Sequence, residues 1–191
     1  MKVVGFNGSP RKKGNTSILI NTVFQELEKE GIETEFVQLG GKKIAGCIAC
    51  FKCFSNKDHR CAVDTDDLNG FVEKMIEADG IILGSPTYFS NITAECKALI
   101  DRAGMISTAN GQIFKHKVGA GVVAVRRAGS VFAFDALNHF FLYNQMFVPG
   151  SSYWSIAVGL APGDVEKDEE GIRTMQVLGQ NMAFLLKKVN E

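Results

Sequence analysis

Five short apolar or alternating runs recur along this chain, each separated from the next by a longer stretch, mostly of helical period, and few folds accept that order. "KVVGF" (2–6), "GIILGS" (80–85), "KVGAGVVAVRR" (117–127) and "SYWSIAVG" (152–159) read as strands, and "ETEFVQL" (33–39) alternates like another. Strands that are apolar at nearly every position are buried on both faces, the condition of a parallel sheet. Helical patterns lie between them. One runs from about Asn15 to Glu30, with Ile20, Val23, Phe24 and Leu27 on one face. A second spans 65–80, with Leu68, Phe71, Val72, Met75 and Ile76 in phase and Thr65 and two aspartates at its positive end. Others cover 92–104, 130–146 and the tail from about Lys167. This alternation predicts an α/β fold, with a five-stranded parallel sheet, helices on both faces, and ligands at the carboxyl ends of the strands.

The chain has 191 residues, and no repeat or linker divides it, so a single domain over 1–191 is expected, with a cysteine-rich loop at about 44–63. Lysine plus arginine (21) equals aspartate plus glutamate (21), so no net field draws it to nucleic acid. The apolar stretches are too short to span a bilayer, and "MKVVGFNGSP" lacks the apolar segment of a signal peptide. A cytoplasmic protein with reduced thiols is therefore expected, and its odd count of five cysteines argues against a disulfide framework.

The first strand runs into "NGSPRKKGNTS" (7–17), a tight loop followed by a helix start. Such a junction is an anion site, because free N–H groups and the helix dipole face the loop. Ser9, Thr16 and Ser17 add hydroxyls, Asn15 an amide and Arg11 a guanidinium suited to phosphate. The loop has neither G-x-x-x-x-G-K-[ST] nor G-x-G-x-x-G, which argues against a triphosphate loop and a dinucleotide fold. The third strand ends in "GSPTYFSN" (84–91), whose Pro86, Thr87, Tyr88 and Phe89 offer a rigid, partly aromatic wall for a planar ring. Taken singly, the first loop also reads as a turn with a cap, and the two aromatics as core.

Together, "GSPRKKGNTS" and, some seventy residues on, "GSPTYFSNITAECKALIDRAG" resemble the flavodoxin-like NAD(P)H-dependent FMN reductase family, and within it the iron–sulfur flavoproteins. That resemblance implies a flavodoxin-like three-layer sandwich. It implies that Ser9, Arg11, Asn15, Thr16 and Ser17 hold the FMN phosphate, and that Pro86, Thr87, Tyr88, Phe89 and Asn91 hold the isoalloxazine. A third flavin loop, "VRRAGS", would set Arg126, Arg127 and Gly129 by the pyrimidine edge, where positive charge favours the reduced, anionic flavin.

Cys47, Cys50, Cys53 and Cys61 have the spacing C-x2-C-x2-C-x7-C. Three thiols two residues apart suit one side of a compact inorganic core that a fourth closes, as in [4Fe–4S] proteins, and the resemblance implies the same cluster. Free thiols remain an alternative, as does zinc with His59 beside Cys61. Cys96, in "ITAECKALI", reads as buried core, and Lys12, Lys13, Lys42 and Lys43 as solvated surface.

No acid–base pair or hydrolase motif accompanies the three histidines, in keeping with chemistry carried by a cofactor. The expectation is an FMN-dependent oxidoreductase taking electrons from NAD(P)H or reduced ferredoxin and passing them to a quinone, another small acceptor or a redox protein. Two alternatives stand beside it: a non-enzymatic electron-transfer protein, and a flavin-binding regulator that senses redox state. The aromatic density of "NHFFLYNQMFVPGSSYW" (138–154), with the resemblance, implies a homodimer or homotetramer.

Overall fold

The computed structural model describes residues 1–191. Its sheet consists of β1 (Lys2–Asn7), β2 (Glu33–Gln38), β3 (Gly80–Pro86), β4 (Val118–Val125) and β5 (Ile156–Val158). All neighbours run parallel, in the order β2-β1-β3-β4-β5. This is the flavodoxin-like doubly wound order, whose switch point falls between β1 and β3.

Period-two alternation along the strands divides the core into two layers. Val4, Phe6, Ile81, Leu83 and Val123 face α3 (Leu68–Glu77), α4 (Ala94–Ala109) and α5 (Ser130–Tyr143). Val3, Ile82, Val122 and Ala124 face α1 (Asn15–Lys29) and α6 (Glu169–Val189). β4, buried throughout, and β3, buried as far as Ser85, bear out the near-continuous apolar runs. No helix is long and apolar enough to cross a membrane.

Several boundaries differ from the sequence expectation. The second predicted helix starts at Leu68 rather than Thr65, because Asp66 turns inward instead of lying along its first turn. The third continues past Gly104 to Ala109, carried by the buried Ile106. The last strand shrinks to Ile156–Val158, since only three residues pair with β4 at the sheet edge. A five-residue helix, α2 (Lys52–Asn56), appears inside the cysteine segment, where no period was visible.

At the switch point the backbones of β1 and β3 touch. The Gly8 N–H donates to the Gly84 carbonyl at 2.7 Å, and Thr93 Oγ1 donates to the Gly8 carbonyl at 2.9 Å. A Cβ on Gly8 would lie 2.8 Å from the Gly84 oxygen and 2.9 Å from Cys96 Sγ. Gly8→Ala is therefore expected to lower the unfolding free energy by about 1–3 kcal/mol, the usual cost of overpacking. Gly70→Ala, in α3 with nothing within 4 Å of the new methyl, should raise it by about 0.5–1 kcal/mol. Urea unfolding monitored by circular dichroism distinguishes the two; equal effects would contradict the packing described.

Candidate functional site

The carboxyl edge of the sheet surrounds a cleft of about 170 Å³. Ser9, Arg11, Asn15 and Thr16 come from the loop after β1 and the start of α1, and Pro86, Thr87 and Tyr88 from the end of β3 and its loop. Arg126 follows β4. Gly159 and Leu160, after β5, complete the wall and had not been expected there from sequence.

The start of α1 is built differently from those of α4 and α6. In α4, Thr93 Oγ1 accepts from the Cys96 N–H, with Glu95 in the first turn. In α6, Asp168 accepts from the Gly171 N–H at 3.0 Å, followed by Glu169 and Glu170. α1 is preceded by Gly14, which offers no side chain, and its first turn holds no acid. Its leading N–H groups and positive dipole end thus face the cleft uncompensated, an arrangement that favours an anion. Arg11 adds a guanidinium at the rim, its Nη1 donating to the Leu160 carbonyl at 3.3 Å. Asn15 Oδ1 accepts from the Gly163 N–H at 2.9 Å, tying the helix start to the loop after β5.

Two hydroxyls in this cleft stand out. Thr16 Oγ1 and Thr87 Oγ1 are buried and have no hydrogen-bond partner. Buried polar atoms in folded proteins are nearly always paired, so each marks a place where a ligand acceptor or donor would complete the site. Uncapped N–H groups, an arginine and the unpartnered Thr16 hydroxyl are the donor set a phosphate monoester requires, and Thr87 offers a further donor from the β3 side. The site fits such a group.

The remaining expected residues lie around the cleft rather than on its wall. Ser17 Oγ donates to the Gly14 carbonyl at 2.8 Å and closes the first turn of α1. Tyr88 and Asn91 exchange backbone hydrogen bonds of 2.8 and 3.0 Å across Phe89 and Ser90, whose φ values are 47° and 59°. This is a two-residue turn of the left-handed kind, and each such non-glycine residue costs of order 1–3 kcal/mol. The strain leaves Phe89 fully exposed beside the cleft mouth. Asn91 Oδ1 accepts from the Ile92 N–H at 2.8 Å and so supports the turn. Gly129, at φ 82°, packs against Ser90, where a Cβ would meet Ser90 Oγ at 2.4 Å, and Arg127 beside it is exposed. The start of α5 is likewise uncapped and free of acids.

Cys47, Cys50, Cys53 and Cys61 line one small, mainly apolar cavity with Val63, Met105 and Ile106. No three of these thiols, nor any with His59, gather closely enough to ligate a single metal ion. Burial pushes the Cys53 thiol up. Cys61 is fixed most firmly: its N–H donates to Asn69 Oδ1 at 2.8 Å, and Asn69 Nδ2 returns a bond to its carbonyl at 3.0 Å. Arg102, 1% exposed, points Nε at Cys61 Sγ at 3.4 Å. Asp66 pairs with Arg102 at 2.5 Å. Burial pushes the Asp66 carboxyl up, but bonds from Arg102 and from the Ala45 and Leu68 N–H groups outweigh it and hold the group below the usual carboxylate range. Sequence reading missed Asp66, Asn69 and Arg102 as partners of the cysteines. The available signal was an arginine in phase with the buried stripe Cys96, Leu99, Ala103 and Ile106 of α4.

Comparison with known proteins agrees with this architecture. The profile of the NADPH-dependent FMN reductase family matches residues 1–160. An iron–sulfur flavoprotein of Methanocaldococcus jannaschii is 38% identical over 198 residues, covering 100% of both chains. One from Methanosarcina thermophila is 31% identical, covering 100% of this chain and 98% of its own. Among solved structures, a flavodoxin from the domain Archaea superposes with a TM-score of 0.62 at 15% identity, covering 100% of both chains, a likeness of fold alone.

The thiols should differ sharply in reactivity. Cys96 is buried, as expected from sequence, and burial pushes its pKa up to about 12, so it stays protonated throughout the neutral range. In the native, metal-free chain at pH 8, iodoacetamide should label the exposed Cys47 and Cys50 and spare Cys96 until the protein unfolds. Peptide mapping by mass spectrometry reads the outcome; early labelling of Cys96 would contradict the packing of α4.

Proposed function

We propose that this chain, which belongs to the NADPH-dependent FMN reductase family and shares full-length similarity with iron–sulfur flavoproteins, binds FMN in the cleft at the β1–β3 switch point. Family membership supports a flavin oxidoreductase or electron-transfer role. The finer reading is an FMN-dependent oxidoreductase that accepts electrons from NAD(P)H or a reduced ferredoxin and delivers them to a quinone, another small acceptor or a redox protein. One observation carries the FMN site: Thr16 and Thr87 bury hydroxyls without partners in the cleft where the uncapped α1 begins.

In this reading Ser9, Arg11, Asn15, Thr16, Ser17 and the leading N–H groups of α1 hold the phosphate. Ser17 acts by closing the turn that presents them. Pro86, Thr87 and Tyr88 bound the ring system, and the strained turn braced by Asn91 holds Phe89 at its open side. Arg126, Arg127 and the uncapped start of α5, entered through Gly129, supply positive potential at the far edge of the cleft. Bound FMN supplies hydride acceptance and one-electron exchange; the chain binds it, orients it and sets the field around it.

Cys47, Cys50, Cys53 and Cys61 are the proposed ligands of a [4Fe–4S] cluster, which supplies one-electron exchange. Their shared apolar cavity supports this, and it also favours a second reading, an electron-transfer protein without a small-molecule substrate. Self-association is proposed as well, as a homodimer or homotetramer, because Leu142, Tyr143, Tyr153 and Trp154 leave apolar surface exposed along α5 and the segment after it.

FMN-loaded protein should oxidise NADPH or NADH with a quinone acceptor. No turnover with either, at full FMN occupancy, would favour the carrier reading. Thr16→Val and Thr87→Val test the cradle. Each removes an unpartnered hydroxyl while keeping the shape, so the FMN-free protein should lose no stability. FMN affinity should fall about tenfold or more in Thr16→Val, from the ~1.5–3 kcal/mol of a bond to a charged group, and about two- to tenfold in Thr87→Val, from the ~0.5–1.5 kcal/mol of a bond to the ring. Fluorescence titration with FMN reads the second effect; unchanged affinity in both variants would place FMN elsewhere.

A further inference from the structure

Arg102 makes four hydrogen bonds, all to the two flanks of the cysteine segment. Nε donates to Cys61 Sγ at 3.4 Å, Nη1 to the Ala45 carbonyl at 3.2 Å and to Asp66 Oδ2 at 2.5 Å, and Nη2 to the Val63 carbonyl at 2.6 Å. Ala45 lies two residues before Cys47, and Val63 two after Cys61. The guanidinium is thus the brace that brings the first and last cysteines to one cavity. It stands on α4, a helix packed into the main core beneath them.

A fully buried cation is costly unless paired, and here one carboxylate, Asp66, offsets it. Three of the five guanidinium N–H donors would serve to hold backbone carbonyls and the carboxylate. The donor on Nε is spent on a sulfur, a weak acceptor when it is a thiol and a strong one when it is an anionic metal ligand. A structural brace alone would be better served by an oxygen there. Hydrogen bonds to ligand sulfurs and nearby charge are among the factors that set the potential of a cluster.

We propose that Arg102 is a positioning and potential-setting residue of the four-cysteine site: it orients Cys61 and raises the reduction potential of a cluster bound there. This rests on the assignment of the four cysteines as ligands of a [4Fe–4S] cluster. A cluster held there would take one electron from the reductant supplied, dithionite in the test below; no bond forms or breaks at Arg102, and the guanidinium keeps its proton throughout. The guanidinium meets Cys61 Sγ directly through Nε, whereas the Asp66 carboxylate bonds to Nη1, so the charge in contact with the sulfur is positive and favours the added electron. Asp66 damps that effect, and Asn69 fixes the Cys61 backbone without contributing charge.

The test uses the full chain, reconstituted without oxygen with iron and sulfide, and compares wild type with Arg102→Gln, Arg102→Lys and Asp66→Asn. Iron is assayed first, and the cluster and FMN potentials are then measured by dithionite titration followed by electron paramagnetic resonance and visible absorption. Arg102→Gln should move the cluster potential negative, Arg102→Lys should recover part of the shift, and Asp66→Asn should move it positive. The FMN potential should stay constant. Opposite shifts from the two partners of one ion pair are not produced by loosened packing. If Arg102→Gln fails to fold, Asp66→Asn and Arg102→Lys carry the comparison. Loss of iron from the arginine variants, with FMN binding and circular dichroism retained, also supports the brace. Four irons per chain at the wild-type potential in every variant, or shifts of the same sign, would overturn it. Wild-type protein that takes up no iron removes the cluster assignment and this inference together, before any variant is compared.

Discussion

Backbone contact between the carboxyl ends of β1 and β3 is the constraint on which the site depends. The Gly8 N–H bonds the Gly84 carbonyl at 2.7 Å, and Thr93 closes the junction from the start of α4, where it also caps that helix. No side chain fits between the two strands at this point. The chain therefore leaves β1 in a tight loop that delivers the start of α1 against the loop after β3. Phosphate cradle and ring wall are consequences of one junction.

The same economy governs the helix starts. α4 and α6 are capped and carry acids in their first turns, as stability alone would select. α1, α3 and α5 carry neither, and of these α1 begins on the cleft wall, at Asn15 and Thr16. A cap is worth about 1 kcal/mol, so leaving α1 without one at the cleft is a stability cost that a bound anion would offset. The left-handed pair Phe89 and Ser90 is a further local cost in the same place. At the cleft an uncapped helix start, a left-handed pair and two unpartnered hydroxyls lie side by side. That coincidence separates a binding site from a loop that merely ends a strand.

Much of this was legible in the sequence. The layer order followed from strands apolar at nearly every position, as in "GIILGS", and from the in-phase Leu68, Phe71, Val72 and Met75 of α3. Ser9, Arg11, Asn15, Thr16, Pro86, Thr87, Tyr88 and Arg126 do line one cleft. What remained illegible was long-range. Gly159 and Leu160 reach the cleft because β5 places its own carboxyl end there, which no local pattern reveals. Asp66 looked like the first turn of a helix because its partner, Arg102, lies 36 residues away. Helix ends such as Gly104 also misled, since glycine inside α4 is tolerated where Ile106 continues the buried face. The cysteine segment gave its spacing freely, but its enclosure comes from α4, across the chain.

The central claim is that the start of α1, with Arg11 and Thr16, is built for the phosphate of FMN. The most direct measurement compares FMN with riboflavin, the same ring system without the phosphate, by fluorescence titration of the unaltered chain. Several bonds to a charged group, each worth about 1.5–3 kcal/mol, predict that FMN binds more than about a hundredfold tighter. Equal affinities, or no uptake of FMN at all, would contradict the account.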